Sequence, residues 1–136
     1  MVKAIQDLWI QRSDGIVIFS RVFHQMVEDQ LFGALMSALN SFAQEIANGG
    51  LNNFEIKNIR FTIIKKKNLI FIANSSKKHK EKKILAELEQ IAEKFIEEYP
   101  ETSNDNWDGC IDDYQTFESK ITDKLEDPVK KFWNDF

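Results

Sequence analysis

Two histidines and one cysteine are the side chains in this 136-residue chain from which nucleophilic or general-base chemistry would ordinarily be assembled. A serine or cysteine nucleophile needs a base within hydrogen-bond reach. His24 follows a β-rich segment, and His79 lies in the lysine run Lys77-Lys78-His79-Lys80. Neither belongs to a recognisable catalytic motif. Cys110 stands alone, which rules out an internal disulfide or a multi-cysteine zinc site and points to a reducing compartment. Gly49-Gly50 is followed neither by Lys-Ser nor by another helix-opening glycine, so it reads as a helix stop rather than a phosphate cradle. The acid pairs Glu97-Glu98 and Asp112-Asp113 lack EF-hand spacing and would diverge on a helix, which is the pattern of solvated surface. Trp107-Asp108-Gly109-Cys110 reads as a turn anchored by its tryptophan. No residue is therefore assigned a catalytic, cofactor-binding or metal-binding role, and the chain is expected to be a non-enzyme without a cofactor.

Charge is the second source of possible chemistry. The net charge of −4 conceals segregation along the chain. Between residues 65 and 83, eight lysines face Glu81 alone, whereas from Glu97 onward twelve acids face four lysines. Lys77, Lys78, Lys80, Lys82 and Lys83 form the candidate anionic-surface site, recruiting lipid headgroups or an acidic protein; a solvated loop is the ordinary alternative. The run precedes a helix, where the macrodipole prefers anions, so its sign opposes the local structure. Lys65, Lys66 and Lys67 lie before a strand of about six residues and the second run after it. A separation of roughly 20 Å therefore keeps them from forming one nucleic-acid groove. Neither run carries aromatic residues for base stacking, and no nucleic-acid partner is expected.

The elements that would position these groups follow from periodicity. Residues 4–11 mix polar and apolar residues at strand spacing, Ser13-Asp14-Gly15 marks a tight turn, and Ile16 to Phe23 is rich in β-branched and aromatic residues, so the chain opens with a hairpin. Asp29 is a plausible N-cap for a helix in which Leu31, Leu35, Ala38, Leu39, Phe42 and Ile46 recur at helical spacing, with Phe32, Met36 and Ala43 beside them. That apolar stripe is wider than one sheet face requires. Three strands are expected at residues 54–57, 59–64 and 69–73, with turns at Asn58 and Lys67-Asn68 that make them antiparallel neighbours. The last is almost wholly apolar, which suits a central strand covered on both faces. Ile84, Leu88, Ile91, Phe95 and Tyr99 then mark a helix ended by Pro100, and Tyr114, Phe117, Ile121 and Leu125 mark another before Asp127-Pro128. Eleven Phe and three Trp can supply a single core without staples.

The opening LWIQRSDGIVIFSRVF, then LFGALMSALNSFAQEI, then LIFIANSS and a terminal helix pair together resemble a longin domain of the profilin-like superfamily, across nearly the whole chain. Roadblock domains are the family most easily confused with this pattern, but they usually begin with an extra helix. Longin SNAREs continue into a coiled coil and a membrane anchor; neither is read in these 136 residues, and a stand-alone longin domain without SNARE function is the expectation. The resemblance implies a single α+β domain over residues 1–136. Its five-stranded antiparallel sheet would carry one long helix on one face and two C-terminal helices on the other, in the order β-β-α-β-β-β-α-α. It also implies a non-catalytic module, cytoplasmic or peripheral at membranes, that serves as an adaptor or subunit in small-GTPase regulation or vesicle trafficking. Its partner would be a small Ras-like GTPase, another longin or roadblock subunit, or a second copy.

Within that frame Leu31, Leu35, Leu39, Phe42 and Ile46 are the expected core stripe of the long helix. Phe32 and Met36, at its margin, are the expected partner contacts, since Met with an aromatic suits adaptable surfaces. Phe54 and Ile56 join them because the third strand is expected at the sheet border, where it could pair with another chain.

Overall fold

The computed structural model describes residues 4–22, 28–47, 52–103 and 117. The opening hairpin is present as β1 (Asp7–Arg12) and β2 (Val17–Arg21), turned at Gly15 with φ +97°, a conformation that favours glycine. Helix α1 (Asp29–Ile46) follows, then β3 (Asn53–Ile56), β4 (Ile59–Lys66), β5 (Leu69–Ser76), helix α2 (Glu81–Glu98) and a 3-10 turn at Pro100–Ser103. The expected turns at Asn58 and at Lys67-Asn68 are where the chain reverses, with Lys57, Lys67 and Asn68 at positive φ. Helix α1 is capped one residue earlier than expected: Glu28 accepts from the Gln30 and Leu31 amides at 3.1 Å, and Asp29 is the first helical residue.

All strand pairs are antiparallel, in the order β2-β1-β5-β4-β3. The fifth strand is central, as its apolar composition implies, and the short third strand is at the border, as the longin resemblance implies. Alternation sorts the residues into two cores. Leu69, Phe71 and Ala73 of β5 join Leu8, Ile10 and Ile64 against Ile84, Leu88, Ile91 and Phe95 of α2. Ile70 and Ile72 join Trp9 and Ile63 against Phe32 and Met36 of α1. Phe117, the described residue of the expected second C-terminal helix, is helical and fully buried in the α2 core, edge-on to Phe19 and Phe95. The rest of that helix lies outside the described residues. The Arg12 guanidinium donates to the Thr102 carbonyl, tying the hairpin to the 3-10 turn.

Gly33 sets how closely α1 approaches the hairpin. A Cβ built there would run into the Gly15 carbonyl oxygen and lie 2.7 Å from Val17 Cγ2. Gln11 fixes the same approach, its side-chain amide donating to the Gly33 carbonyl at 3.4 Å and to Ser37 Oγ at 3.2 Å. Replacing Gly33 with Ala should therefore destabilise the fold by about 1–3 kcal/mol as overpacking, although alanine is the better helix former. Denaturant melts of both chains would check the sign.

Candidate functional site

With Gly33 and Ser37 against the hairpin, the turn of the helix decides where the remaining apolar residues point. At roughly 100° per residue, Phe32, Met36 and Ala43 lie under the helix, and Leu31, Leu35, Ala38, Phe42 and Ile46 fall on the flank opposite Gly33. Leu31 is 63% exposed, Leu35 54%, Phe42 66% and Ile46 71%. Phe32 and Met36 are 8% and 3% exposed. The expected assignment of core and margin is thus reversed: Phe32 stacks on Trp9 with centroids 4.3 Å apart, and Phe32 and Met36 are core residues. Of the expected stripe, Leu39 alone packs against the core, half-buried. The signal in the sequence was Gly33 itself. A glycine inside a helix marks a close approach, and Phe32 and Met36 flank that face.

Strand β3 lies at the sheet border away from the β1–β2 hairpin, and its Phe54 packs against the cluster that holds Phe32 and Met36, on the α1 side of the sheet. The Ile63 amide donates to the Asn52 carbonyl, which fixes the antiparallel alternation: Phe54 and Ile56 direct their backbone groups at β4, and Asn53 and Glu55 direct theirs outward. Phe54 is half-buried, stacked on Phe61 at 4.6 Å. Ile56 is 56% exposed on the α1 side. The outward flank of α1 and the α1 side of β3 thus both present apolar groups, and the outer side of β3, beyond its pairing with β4, is met by no other strand among the described residues.

The opposite border differs. The Gln30 side chain accepts from the Val17 amide at 3.0 Å and donates to the Val17 carbonyl at 2.9 Å, taking the place a neighbouring strand would occupy. Ser20 Oγ donates to Asp29 at 2.7 Å close by. Edges so occupied are poor templates for strand addition.

The two lysine runs lie at opposite ends of β5, as expected. In the first, Lys65 is half-buried with its pKa lowered by that burial, and Lys66 is bonded to Glu89 at 2.6 Å, which raises its pKa. Lys66, Lys67, Glu93, Ile96 and Glu97 line an open groove of about 540 Å³ whose charges are mixed. In the second run Lys77 pairs with Glu55 at 2.8 Å, Lys78, Lys80 and Lys82 are exposed, and Lys83 is half-buried. His79 is half-buried and its backbone carbonyl accepts from Arg60 at 3.2 Å. Among the described residues no three His, Cys, Asp or Glu are grouped to hold a metal ion, and no helix is long and apolar enough to cross a membrane. His24, Gly49-Gly50, Trp107 to Cys110 and Asp112-Asp113 lie outside the described residues.

No family model matches the chain, and no curated protein sequence does. Solved structures do resemble it. The Roadblock/LC7 domain from Streptomyces avermitilis superposes with a TM-score of 0.57 at 15% identity, over 74% of this chain and 89% of that one. MglB of Myxococcus xanthus superposes with a TM-score of 0.50 at 13% identity, over 67% of this chain and 83% of that one. At these identities the likeness establishes the fold, which is the roadblock and longin fold.

Two measurements follow from the geometry. Phe32→Ala should cost about 3–5 kcal/mol as a core truncation, whereas Phe42→Ser should change stability by no more than about 0.5 kcal/mol under conditions where the chain is monomeric. Paired denaturant melts separate the two. Glu55 should titrate below its ordinary value of 4.5, chiefly through its hydrogen bond from Lys77 and then that from Arg60. A depressed folded pKa contributes stability above the unfolded value that is lost as pH falls through the folded one. The Glu55 pairing should thus persist at pH 5 and disappear below the folded pKa, as read by carboxyl NMR.

Proposed function

We propose, taking the roadblock and longin fold as premise, that this chain is a non-catalytic protein-interaction module that joins a second copy or a like subunit through α1 and β3. The observation that carries the reading is the row of Leu31, Leu35, Phe42 and Ile46, exposed on the helix flank turned away from the hairpin, together with a border strand on the far side of the sheet from that hairpin whose outward backbone groups are open to pairing. Four large apolar side chains in one contiguous row mark an interaction site more readily than scattered ones do. A two-fold contact is self-complementary, so one patch can serve both partners. Antiparallel pairing of β3 with its copy would satisfy the outward groups of Asn53 and Glu55, while two α1 flanks cover one another.

Such a pair would act as a subunit or adaptor in assemblies of the small-GTPase or trafficking type, with a Ras-like GTPase as the further partner. The likeness in fold and the exposed surface support this reading together. A cytoplasmic setting fits the lone cysteine.

Sedimentation equilibrium provides the test. The natural chain should be dimeric, and Leu35→Ser with Phe42→Ser should shift it to monomer while leaving the circular dichroism spectrum unchanged. Glu55→Pro removes an outward amide that an edge strand can forgo, and should weaken the dimer at least tenfold; Glu55→Gln, which loses the ion pairs but keeps the amide, should not. A chain that is monomeric at millimolar concentration, and that does not pair with a like subunit, would overturn the proposal. Binding of purified Ras-like GTPases in both nucleotide states would test the further partner.

A further inference from the structure

One corner of the sheet gathers cations that the sequence holds apart. The Lys77 amide donates to the Asn58 carbonyl at 2.9 Å, binding the loop before α2 to the β3–β4 turn. Lys57, in that turn at φ +52°, is thereby brought to the same corner as Lys78 and Lys80, and all three are exposed. The acids nearby have partners: Glu55 is shared between Lys77 at 2.8 Å and Arg60 at 3.2 Å, and Glu81 accepts from Asn53 at 3.3 Å. Lys80 is also the N-cap of α2 and makes no side-chain capping bond. Glu81, the acid in the first turn of α2, is outnumbered by Lys78, Lys80, Lys82 and Lys83 at the positive end of the helix dipole, where negative charge is favoured. A negatively charged surface laid against this corner would relieve that conflict.

We propose that this corner docks the protein on an anionic lipid bilayer, with Lys57, Lys78 and Lys80 as its principal contacts. The type of cation favours a headgroup layer. Lysine is a hydrated point charge without the planar fork that reads a single phosphate or carboxylate, and Arg60, the guanidinium of this corner, is already bonded to Glu55 and to the His79 carbonyl. A nucleic-acid strand would call for aromatic rings to stack its bases, and residues 77–83 contain no Phe, Tyr or Trp. A protein interface would call for an apolar centre. The apolar residues of this turn, Ile56 and Ile59, share the α1 side of the sheet with Phe54 and Phe61. Lipid docking uses residues of one chain and does not depend on the dimer.

Vesicle co-sedimentation of the full chain tests this. Binding should appear with phosphatidylglycerol-containing vesicles, be absent with phosphatidylcholine alone, and fall as salt is raised. The triple variant Lys57→Ala, Lys78→Ala, Lys80→Ala should lose on the order of a hundredfold in partitioning with its melting temperature unchanged, and the matching triple arginine variant should retain binding. Equal binding to neutral vesicles, or wild-type partitioning by the alanine variant, would overturn the assignment. So would a natural chain that ignores anionic vesicles, whether or not it binds an acidic peptide or single-stranded DNA. Sedimentation equilibrium of the same variants reads self-association separately, so failure of either proposal can be told from failure of the other.

Discussion

The two-residue alternation of β5 is the constraint on which the rest of the molecule depends. This strand pairs with β1 along one side and β4 along the other, and its side chains divide between two cores that share nothing but the sheet. A slip of one residue would send Leu69, Phe71 and Ala73 to the α1 side and Ile70 and Ile72 to the α2 side. The two faces are not equivalent. Phe71 meets the ring of Phe95 edge-on at 6.0 Å, whereas Ile72 lies in the cluster beneath the stacked Trp9 and Phe32. Register is thus specified by shape on both sides as well as by apolar character.

This explains what was legible in the sequence. Strand periodicity, the Gly15 turn, the central place of β5 and the inward stripe of α2 could be read because each is a local pattern with one solution. Ile84, Leu88, Ile91 and Phe95 form one row, flanked by Leu85, Ala92 and Ile96, with the charged residues of the helix kept off that face, and they are buried. Helix α1 offered two rows. Leu31, Leu35, Phe42 and Ile46 are as apolar as Phe32, Met36 and Leu39, and counting hydrophobic positions favours the wrong one. The choice is made by groups distant in sequence, Gln11, Gly15 and Val17, which demand a side chain no larger than hydrogen at position 33.

The cationic corner was partly legible. The run from Lys77 to Lys83 can be seen at once, but Lys57 lies twenty residues earlier and joins it through the Asn58 carbonyl. The run also overstates the available charge. Lys77 is committed to Glu55, and in the earlier run Lys66 is committed to Glu89. Composition counts charges; the fold decides which of them face outward.

The two borders of the sheet bear on what kind of assembly the fold permits. If both edges could accept strands, the unit could add copies at each side, and successive contacts of unlike edges would generate an open filament. Here the Gln30 amide supplies one donor and one acceptor to Val17 on the β2 border, the same pair of bonds a strand would supply, from a residue held in the first turn of α1. The same helix thus occupies one border with its N-terminal glutamine and turns its apolar flank away from that border. Under the pairing proposed for β3, a single receptive edge used about a two-fold axis would close the assembly at two copies. The exposed apolar row and the guarded edge are therefore two consequences of one placement of α1, and that placement rests on the absence of a side chain at Gly33.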